Sequence, residues 1–246
     1  MTALAHGTLY LLPVGLASPG DTPDDWEEWL PAATRETACR LEHFVVENAK
    51  TARASLKALG HPTPLRELHI QELPPTLSDD TLSGLLSPVL TGQDIGLMSE
   101  AGCPAVADPG ALLVRAAHQL GIRVKPLVGP SSLLLALMAS GLDGQRFAFH
   151  GYLPSREPER SKAIQALEKD SARLHQTQLF IETPYRNGAI FQALLQTSKP
   201  NTRLCVASDL TLEGESIITR SIADWRKSTA PAIDKRPTVF LLLAQT

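Results

Sequence analysis

Short apolar segments alternate along this chain with small-residue loops and amphipathic stretches, most clearly over residues 95–139. Ile95–Met98 and Val124–Val128 have the length and apolar character of buried strands. Between them, a single helical face is formed by Leu112, Leu113, Ala116, Ala117 and Leu120. Gly121 then ends that helix. A second apolar helical face follows, formed by Leu133, Leu134, Leu137 and Met138. This strand-to-helix alternation predicts an α/β fold.

Two loops rich in small residues follow these strands. Ser99–Gly110 contains glycines and prolines that interrupt both strands and helices, and Gly129-Pro130-Ser131-Ser132 follows the second strand. Ser131 or Ser132 can cap the next helix. Loops at the carboxyl ends of strands are where open parallel sheets bind ligands. The spacing alone is equally compatible with two ordinary strand-to-helix turns.

The same patterns predict further elements in both halves of the chain. The other predicted strands are Thr8–Val14, Phe44–Val46, Leu65–Ile70, Arg146–Phe149, Gln178–Ile181, Thr202–Ala207, Glu215–Thr219 and Val239–Leu243. One further helix is predicted to begin at Thr22. The other predicted helices are Ala49–Leu59, the segment around Leu82–Leu86, Asn187–Gln196 and Ile222–Lys227. Gly151–Pro154 is predicted to be a loop. We expect two domains, residues 1–127 and 128–246.

Composition is that of a globular chain without a strong charge bias. The 246 residues are 43% hydrophobic and 20% charged, with a formal net charge of −3. Any contact with RNA must therefore use a local patch. The three cysteines are far apart, and no segment has the length of a signal sequence or a membrane span, so we expect a cytoplasmic protein with no membrane partner.

Several common chemistries have no support in the sequence. There is no phosphate-binding G-x-x-x-x-G-K-[ST] loop, no G-x-G-x-x-G, no H-E-x-x-H and no G-x-S-x-G. The seven histidines are scattered without metal-ligand spacing, so no metal site is expected.

Several segments together resemble the tetrapyrrole methylase superfamily. They are SEAGCPAVADPG with VGPSSLLLALMASGL, LYLLPVGLASPGDT, VENAKTARASLKALG, FHGYLPSREPERSKAI, FIETPYRN, RLCVASDLT and RPTVFLLLA. The branch that they resemble most is the ribosomal RNA small-subunit methyltransferase I type, which methylates a ribose 2′-oxygen. The resemblance implies two α/β domains with a cofactor cleft between them, a homodimer, and S-adenosylmethionine as cofactor.

The resemblance also implies specific site residues. The implied cofactor contacts are Leu16, Gly102, Cys103, Val106, Ser131, Ser132, Glu182, Ala207 and Thr238. The implied substrate-binding residues are Lys50, Arg53, Arg156 and Arg160, although a solvated surface explains those charges equally well. Cations there would contact phosphates of ribosomal RNA or of the small ribosomal subunit.

A ribose hydroxyl must lose a proton on methylation, so a base is useful. Glu47, Glu100 and Asp108 are the carboxylates nearest the loops, and the sequence does not choose among them. Two alternatives stay open: methylation of a small tetrapyrrole, or a cofactor-binding homologue without catalysis. The second would fit Asn48 and Cys103, which stand where the family carries aspartate.

Overall fold

A computed structural model describes residues 6–17 and 26–244 of the chain. The chain divides into two compact units, Met1–Ser131 and Ser132–Thr246, whereas the predicted boundary followed residue 127. The helix start predicted at Thr22 and the end of the loop after the first strand lie outside the described residues.

The first unit alternates strands and helices. In chain order its elements are β1 (Thr8–Leu11), α1 (Ala32–Arg40), β2 (His43–Val46), α2 (Ala49–Ala58), β3 (His69–Glu72), α3 (Asp79–Leu90), β4 (Ile95–Met98), α4 (Gly110–Gln119) and β5 (Arg123–Pro126). A 3₁₀ turn at Trp26–Glu28 precedes α1.

The sheet of the first unit is entirely parallel, in the order β3-β2-β4-β1-β5. Apolar side chains pack on both of its faces. One cluster includes Phe44 and Met98, and the other includes Val45 and Leu97. Neighbouring residues of one strand therefore point to opposite clusters, as a sheet covered on both faces requires.

The prediction for β4 is confirmed at both ends, whereas the predicted bounds of β3 are wrong. The expected strand at Leu65–Ile70 starts instead at His69, because Glu67 N–H donates to Pro64 O in a turn (2.8 Å). β1 ends earlier than expected, and Val14 forms an isolated bridge with Gly102.

The second unit has a different alternation. Its elements are α5 (Ser132–Ser140), β6 (Phe147–Tyr152), α6 (Glu159–Leu174), β7 (Thr177–Ile181), α7 (Asn187–Thr197), β8 (Arg203–Ser208), β9 (Ser216–Ser221), α8 (Ile222–Trp225) and β10 (Thr238–Leu243). A 3₁₀ turn at Pro184–Arg186 precedes α7.

The second sheet is mixed, in the order β6-β7-β10-β8-β9, with β6 and β7 parallel and the remaining pairs antiparallel. Phe180 stacks on Phe240 with 5.6 Å between ring centroids, and Phe191 meets Trp225 edge to face. These aromatic contacts lie in the core of this unit. Two α/β units confirm the predicted fold class.

Two features of the second unit escaped the sequence analysis. Helix α6 was not predicted, because its buried face includes the polar residues Glu168 and Ser171 as well as Ile164 and Leu167. Glu168 accepts from groups that are distant in sequence, the N–H of Lys199 (2.7 Å) and the hydroxyl of Thr202 (2.5 Å). Strand β6 also continues through Gly151-Tyr152, which was expected to be loop, with an irregular register after Phe149.

Candidate active site

The loops of the first unit meet at one edge of its sheet. Because all five strands are parallel, the segments that follow β2, β4, β1 and β5 leave from the same edge. These segments contain Glu47, Ser99–Pro109, Leu12–Ala17 and Leu127–Ser131. Five of the predicted site residues of this unit, Leu16, Gly102, Cys103, Val106 and Ser131, therefore lie at this edge, as do the three candidate carboxylates.

Gly102 joins the loop after β4 to the loop after β1. The N–H of Val14 donates to Gly102 O (3.0 Å), and the N–H of Gly102 donates to Gly15 O (3.3 Å). Gly102 has φ +69°, and a Cβ added there would lie 3.2 Å from Leu16 Cδ2 and 3.6 Å from Pro130 O. Both the conformation and the crowding explain why the residue is glycine.

Cys103 joins the same loop to the segment after β5. Its half-buried thiol donates to Pro130 O, with 3.3 Å between Sγ and O. Burial raises the pKa of the thiol, so it stays protonated and remains a donor. The cysteine therefore acts here as a neutral link between two loops.

Asp108 holds the remainder of the loop in shape. Its carboxylate accepts from Ala105 N–H (2.8 Å) and from Gly110 N–H (2.6 Å). Ala105 and Ala107 have φ +66° and +62°, a conformation that costs a residue with a Cβ about 1 kcal/mol. Burial raises the pKa of Asp108, its two N–H donors lower it, and the Glu47 carboxylate raises it further.

Glu47 connects the end of β2 to the same loop. Its Oε2 accepts from Glu100 N–H (3.1 Å), and its own N–H donates to Met98 O (3.1 Å). Its Oε1 has no hydrogen-bond partner among the described residues. Glu100 is exposed, so only its main chain takes part in this contact. Of the three candidate carboxylates, Glu47 is the one that is oriented by a hydrogen bond and still has an unpartnered oxygen among the described residues.

Asn48 has a structural function as the N-cap of α2. Its Oδ1 accepts from Lys50 N–H (2.9 Å) and Thr51 N–H (3.3 Å). The cap directs α2 away from the end of β2, with the side chains of Lys50 and Arg53 exposed on its first two turns. Both cations are therefore available to a ligand near Glu47.

In the second unit, side chains fix the end of β7. Glu182 follows the strand with its side chain only 3% exposed, and its Oε1 accepts from Arg186 Nε (3.0 Å) and Nη2 (2.7 Å). The same oxygen accepts from Thr183 N–H (2.7 Å). A buried carboxylate with this many donors is a rigid element of the turn.

Asn187 ties this turn to the segment before β10. Its fully buried Nδ2 donates to Arg236 O (2.7 Å) and Ile233 O (3.0 Å), and lies 3.1 Å from Thr238 Oγ1. Thr238 donates in turn to Arg236 O (2.9 Å). The Oδ1 of Asn187 is buried and has no partner among the described residues. An acceptor of that kind is unfavourable unless a donor reaches it.

The remaining predicted site residues differ in accessibility. Ala207 is fully buried in β8 between two neighbouring strands, and Ser132 is partly buried at the start of α5. Arg156 is exposed, whereas Arg160 is paired with Glu157 (2.8 Å). Hydrogen bonds from Ser161 and Arg160 lower the pKa of Glu157, which keeps that partner charged.

The groups present fit a ligand that is held by main-chain atoms and apolar side chains. Gly102 leaves room where a Cβ would crowd its neighbours, and Val106 and Val128 stay exposed on the loops after β4 and β5. The zwitterionic amino acid and the adenosine of S-adenosylmethionine suit such donors, acceptors and apolar surfaces. Within residues 6–17 and 26–244, no three His, Cys, Asp or Glu side chains are grouped to hold a metal ion.

Sequence reasoning missed Asn187. Asn187 lay in a segment identified only as a helix start. Its contacts are 46 to 51 residues away in sequence, so no local pattern could reveal them. An asparagine that opens a helix after E-T-P-Y-R is the signal that the sequence offered.

Comparisons with known proteins agree with this architecture. The sequence model described as Tetrapyrrole (Corrin/Porphyrin) Methylases matches residues 29–225. The curated relatives include the ribosomal RNA small subunit methyltransferase I of Xylella fastidiosa (strain Temecula1 / ATCC 700964), 30% identical over 97% of this chain and 81% of the relative. The protein of that name from Escherichia coli O157:H7 is 30% identical over 87% of this chain and 68% of its own.

Among solved structures, the methyltransferase CobJ superposes with a TM-score of 0.61, covering 97% of this chain and 94% of CobJ. Its sequence identity is 16%, so this likeness concerns the fold alone. No helix in the described part of the chain is both long enough and apolar enough to cross a membrane. The match over residues 29–225, with the relatives that extend it, shows that the chain belongs to the tetrapyrrole (corrin/porphyrin) methylase family and is a methyltransferase.

Proposed function

We propose that the protein uses S-adenosylmethionine to methylate a ribose 2′-oxygen in small-subunit ribosomal RNA. The observation that carries this proposal is the 30% identity, over 97% of the chain, to a relative named for that RNA. The ribose position follows from the resemblance of the motifs. The protein would act in the cytoplasm, as a homodimer.

The proposed cofactor site of the first unit is the edge formed by Leu16, Gly102, Cys103, Val106 and Ser131. Hydrogen bonds of Gly102, Cys103 and Asp108 hold these loops together, so the cofactor would meet a surface that is already ordered. Such positioning supplies much of the rate of a methyl transfer. When bound, S-adenosylmethionine supplies a methyl group that is carried on a cationic sulfur. That sulfur is a good leaving group, so its departure needs neither an acid nor a metal. In the second unit we propose contacts at Ser132, Glu182, Ala207 and Thr238.

Glu47 is the proposed general base. The contact with Glu100 N–H orients its carboxylate, and the second oxygen is free to take the proton of the ribose hydroxyl. Asp108 is less suited, because both of its oxygens already accept from N–H groups of its own loop. Lys50 and Arg53 would contact RNA phosphates from the exposed start of α2, and Arg156 and Arg160 from the segment after β6.

The test uses small ribosomal subunits purified from a strain that lacks the corresponding methyltransferase. With labelled S-adenosylmethionine, the protein should label the RNA of these subunits, and alkaline hydrolysis should leave the label in a dinucleotide, because a 2′-O-methyl group blocks cleavage. Label in a tetrapyrrole but not in subunits would favour small-molecule methylation. Binding of the cofactor in calorimetry without transfer to either acceptor would indicate a non-catalytic homologue.

Two matched variants decide the base. Glu47→Gln should lower kcat for subunits by about a hundredfold or more, whereas Glu100→Gln should stay close to wild type, because Glu100 participates through its main chain. Cofactor affinity should stay the same in both. A larger loss in Glu100→Gln than in Glu47→Gln would contradict the assignment.

A further inference from the structure

Two of the three tyrosines project from the second unit into solvent. Tyr152 is 59% exposed and Tyr185 is 79% exposed, whereas Tyr10 is buried. Neither exposed hydroxyl has a hydrogen-bond partner among the described residues. Exposed aromatic rings that lie in one region of a surface, rather than singly, are a common mark of a binding site.

Both rings emerge at the same edge of the second sheet. Strands β6 and β7 are parallel, and Tyr152, the last residue of β6, pairs in register with Ile181, the last residue of β7. Tyr185 lies in the turn that immediately follows β7. The bonds of Arg186 and Thr183 to Glu182 hold that turn, so the second ring is carried by a rigid part of the chain.

Cations accompany both tyrosines. Arg156 is exposed on the segment after Tyr152, and it has no ion pair among the described residues. Lys235 is exposed as well, and its N–H donates to Pro184 O (3.1 Å), which places its main chain beside the turn of Tyr185. Because the whole chain has a net charge of −3, a polyanion must be attracted by a local group of this kind.

We propose that Tyr152 and Tyr185 form a stacking platform for unpaired bases of the RNA substrate, with Arg156 and Lys235 contacting the adjoining phosphates. Aromatic rings flanked by cations match single-stranded RNA, whose bases stack on tyrosine and whose backbone binds cations. This inference rests on the proposed function and deepens it. It assigns substrate positioning to residues of the second unit that are separate from the proposed base.

The test compares tyrosine variants with a matched control on the same strand. Tyr152→Leu and Tyr185→Leu remove a ring, Tyr152→Phe and Tyr185→Phe keep it, and Phe147→Leu removes the exposed phenyl group at the opposite end of β6. The probe is a fluorescent single-stranded RNA of about twenty mixed nucleotides. Each leucine variant should bind it on the order of tenfold more weakly, while the phenylalanine variants and the Phe147 control should bind like wild type.

Salt dependence separates the rings from the cations. The leucine variants should weaken binding at every salt concentration with an unchanged salt slope. Arg156→Gln and Lys235→Gln should each reduce the slope by roughly 0.7, the value for one phosphate contact on a single strand. With small subunits as substrate, the leucine variants should raise KM and leave kcat and the affinity for S-adenosylmethionine unchanged.

The outcomes distinguish this inference from the proposed function. If wild type transfers no methyl group to subunits but the leucine variants lose RNA binding, the function is wrong and the platform stands. If wild type methylates subunits and the leucine variants bind RNA normally, the platform is wrong. The platform is also overturned if the wild-type protein does not bind RNA. The same holds if wild type sediments as a dimer and the leucine variants sediment as monomers with unchanged affinity for RNA.

Discussion

Gly102 in the first unit and Asn187 in the second hold loops together in opposite ways. Gly102 uses its main-chain N–H and C=O, and it tolerates no side chain without crowding Leu16. Asn187 uses its side-chain amide, buried among carbonyl oxygens of Ile233 and Arg236. The first arrangement leaves main-chain and apolar surface for a ligand, whereas the second depends on one side chain. Substitutions should therefore affect the two regions by different mechanisms.

The largest effect is expected at Asn187. Replacing Asn187 with Leu removes the amide hydrogen bonds to Ile233 O and Arg236 O. Each carbonyl keeps one other donor, so the loss is that of the buried bonds themselves, and we expect the free energy of unfolding to fall by about 2–3 kcal/mol. Urea denaturation followed by circular dichroism measures the change. The exposed Asn201→Leu variant is the control and should change stability by less than about 0.5 kcal/mol. Equal losses in the two variants would show that the side chain does not hold the second region.

The same substitution should act with opposite signs at two glycines of the first unit. Gly102→Ala should cost about 1–2 kcal/mol, because φ is +69° and Leu16 Cδ2 would lie 3.2 Å from the new Cβ. Gly84→Ala should stabilise by up to about 1 kcal/mol, since Gly84 lies inside α3 with nothing within 4 Å of the new Cβ. Thermal unfolding of both variants measures the sign. Stabilisation by Gly102→Ala would contradict the main-chain account.

Cys103 also joins two loops of the first unit, but its hydrogen bond to Pro130 O uses a side chain. Cys103→Ser keeps a donor and should change the free energy of unfolding by less than about 0.5 kcal/mol, whereas Cys103→Val should cost about 1 kcal/mol. Chemical denaturation of the pair tests this. If serine and valine are equally tolerated, the thiol contributes no hydrogen bond to stability. The contrast between the main-chain bonds of Gly102 and the side-chain bonds of Asn187 then becomes clearer.

The smallest effect is expected from the charge of Asp108. Burial raises its pKa, so the folded protein binds this proton more tightly than the unfolded chain does. The contribution of Asp108 to stability is therefore greatest below its unfolded pKa and is lost as pH rises through the raised folded-state pKa. In Asp108→Asn this contribution is absent.

The stability advantage of wild type over Asp108→Asn should accordingly decrease as pH rises through the acidic range. Solvent screens the half-exposed carboxylate, so the decrease should stay under about 1 kcal/mol. Urea denaturation of both proteins at several pH values gives the difference directly. An advantage that grows with pH would mean that the two N–H bonds, rather than burial, dominate the pKa of Asp108.

The elements with local signals were predictable. β4 is a short apolar run between polar residues, and both its bounds and the start of α2 at Ala49 were found from sequence. Helix α6 was not, because its buried face contains Glu168, whose partners Lys199 and Thr202 are more than thirty residues away. A carboxylate at such a position looks solvent-exposed until the fold supplies its donors.

The candidate site also combines features that are visible in the sequence with features that depend on distant partners. The sequence determined by itself that two loops of small residues follow apolar strands, and its motifs identified the family. Only the tertiary structure decided that Gly102 bonds to the loop after β1, that Cys103 bonds to Pro130, and that Glu47 keeps a free oxygen while Asp108 does not. These differences arise between segments far apart in the chain, because parallel strands bring their ends together whatever their separation in sequence.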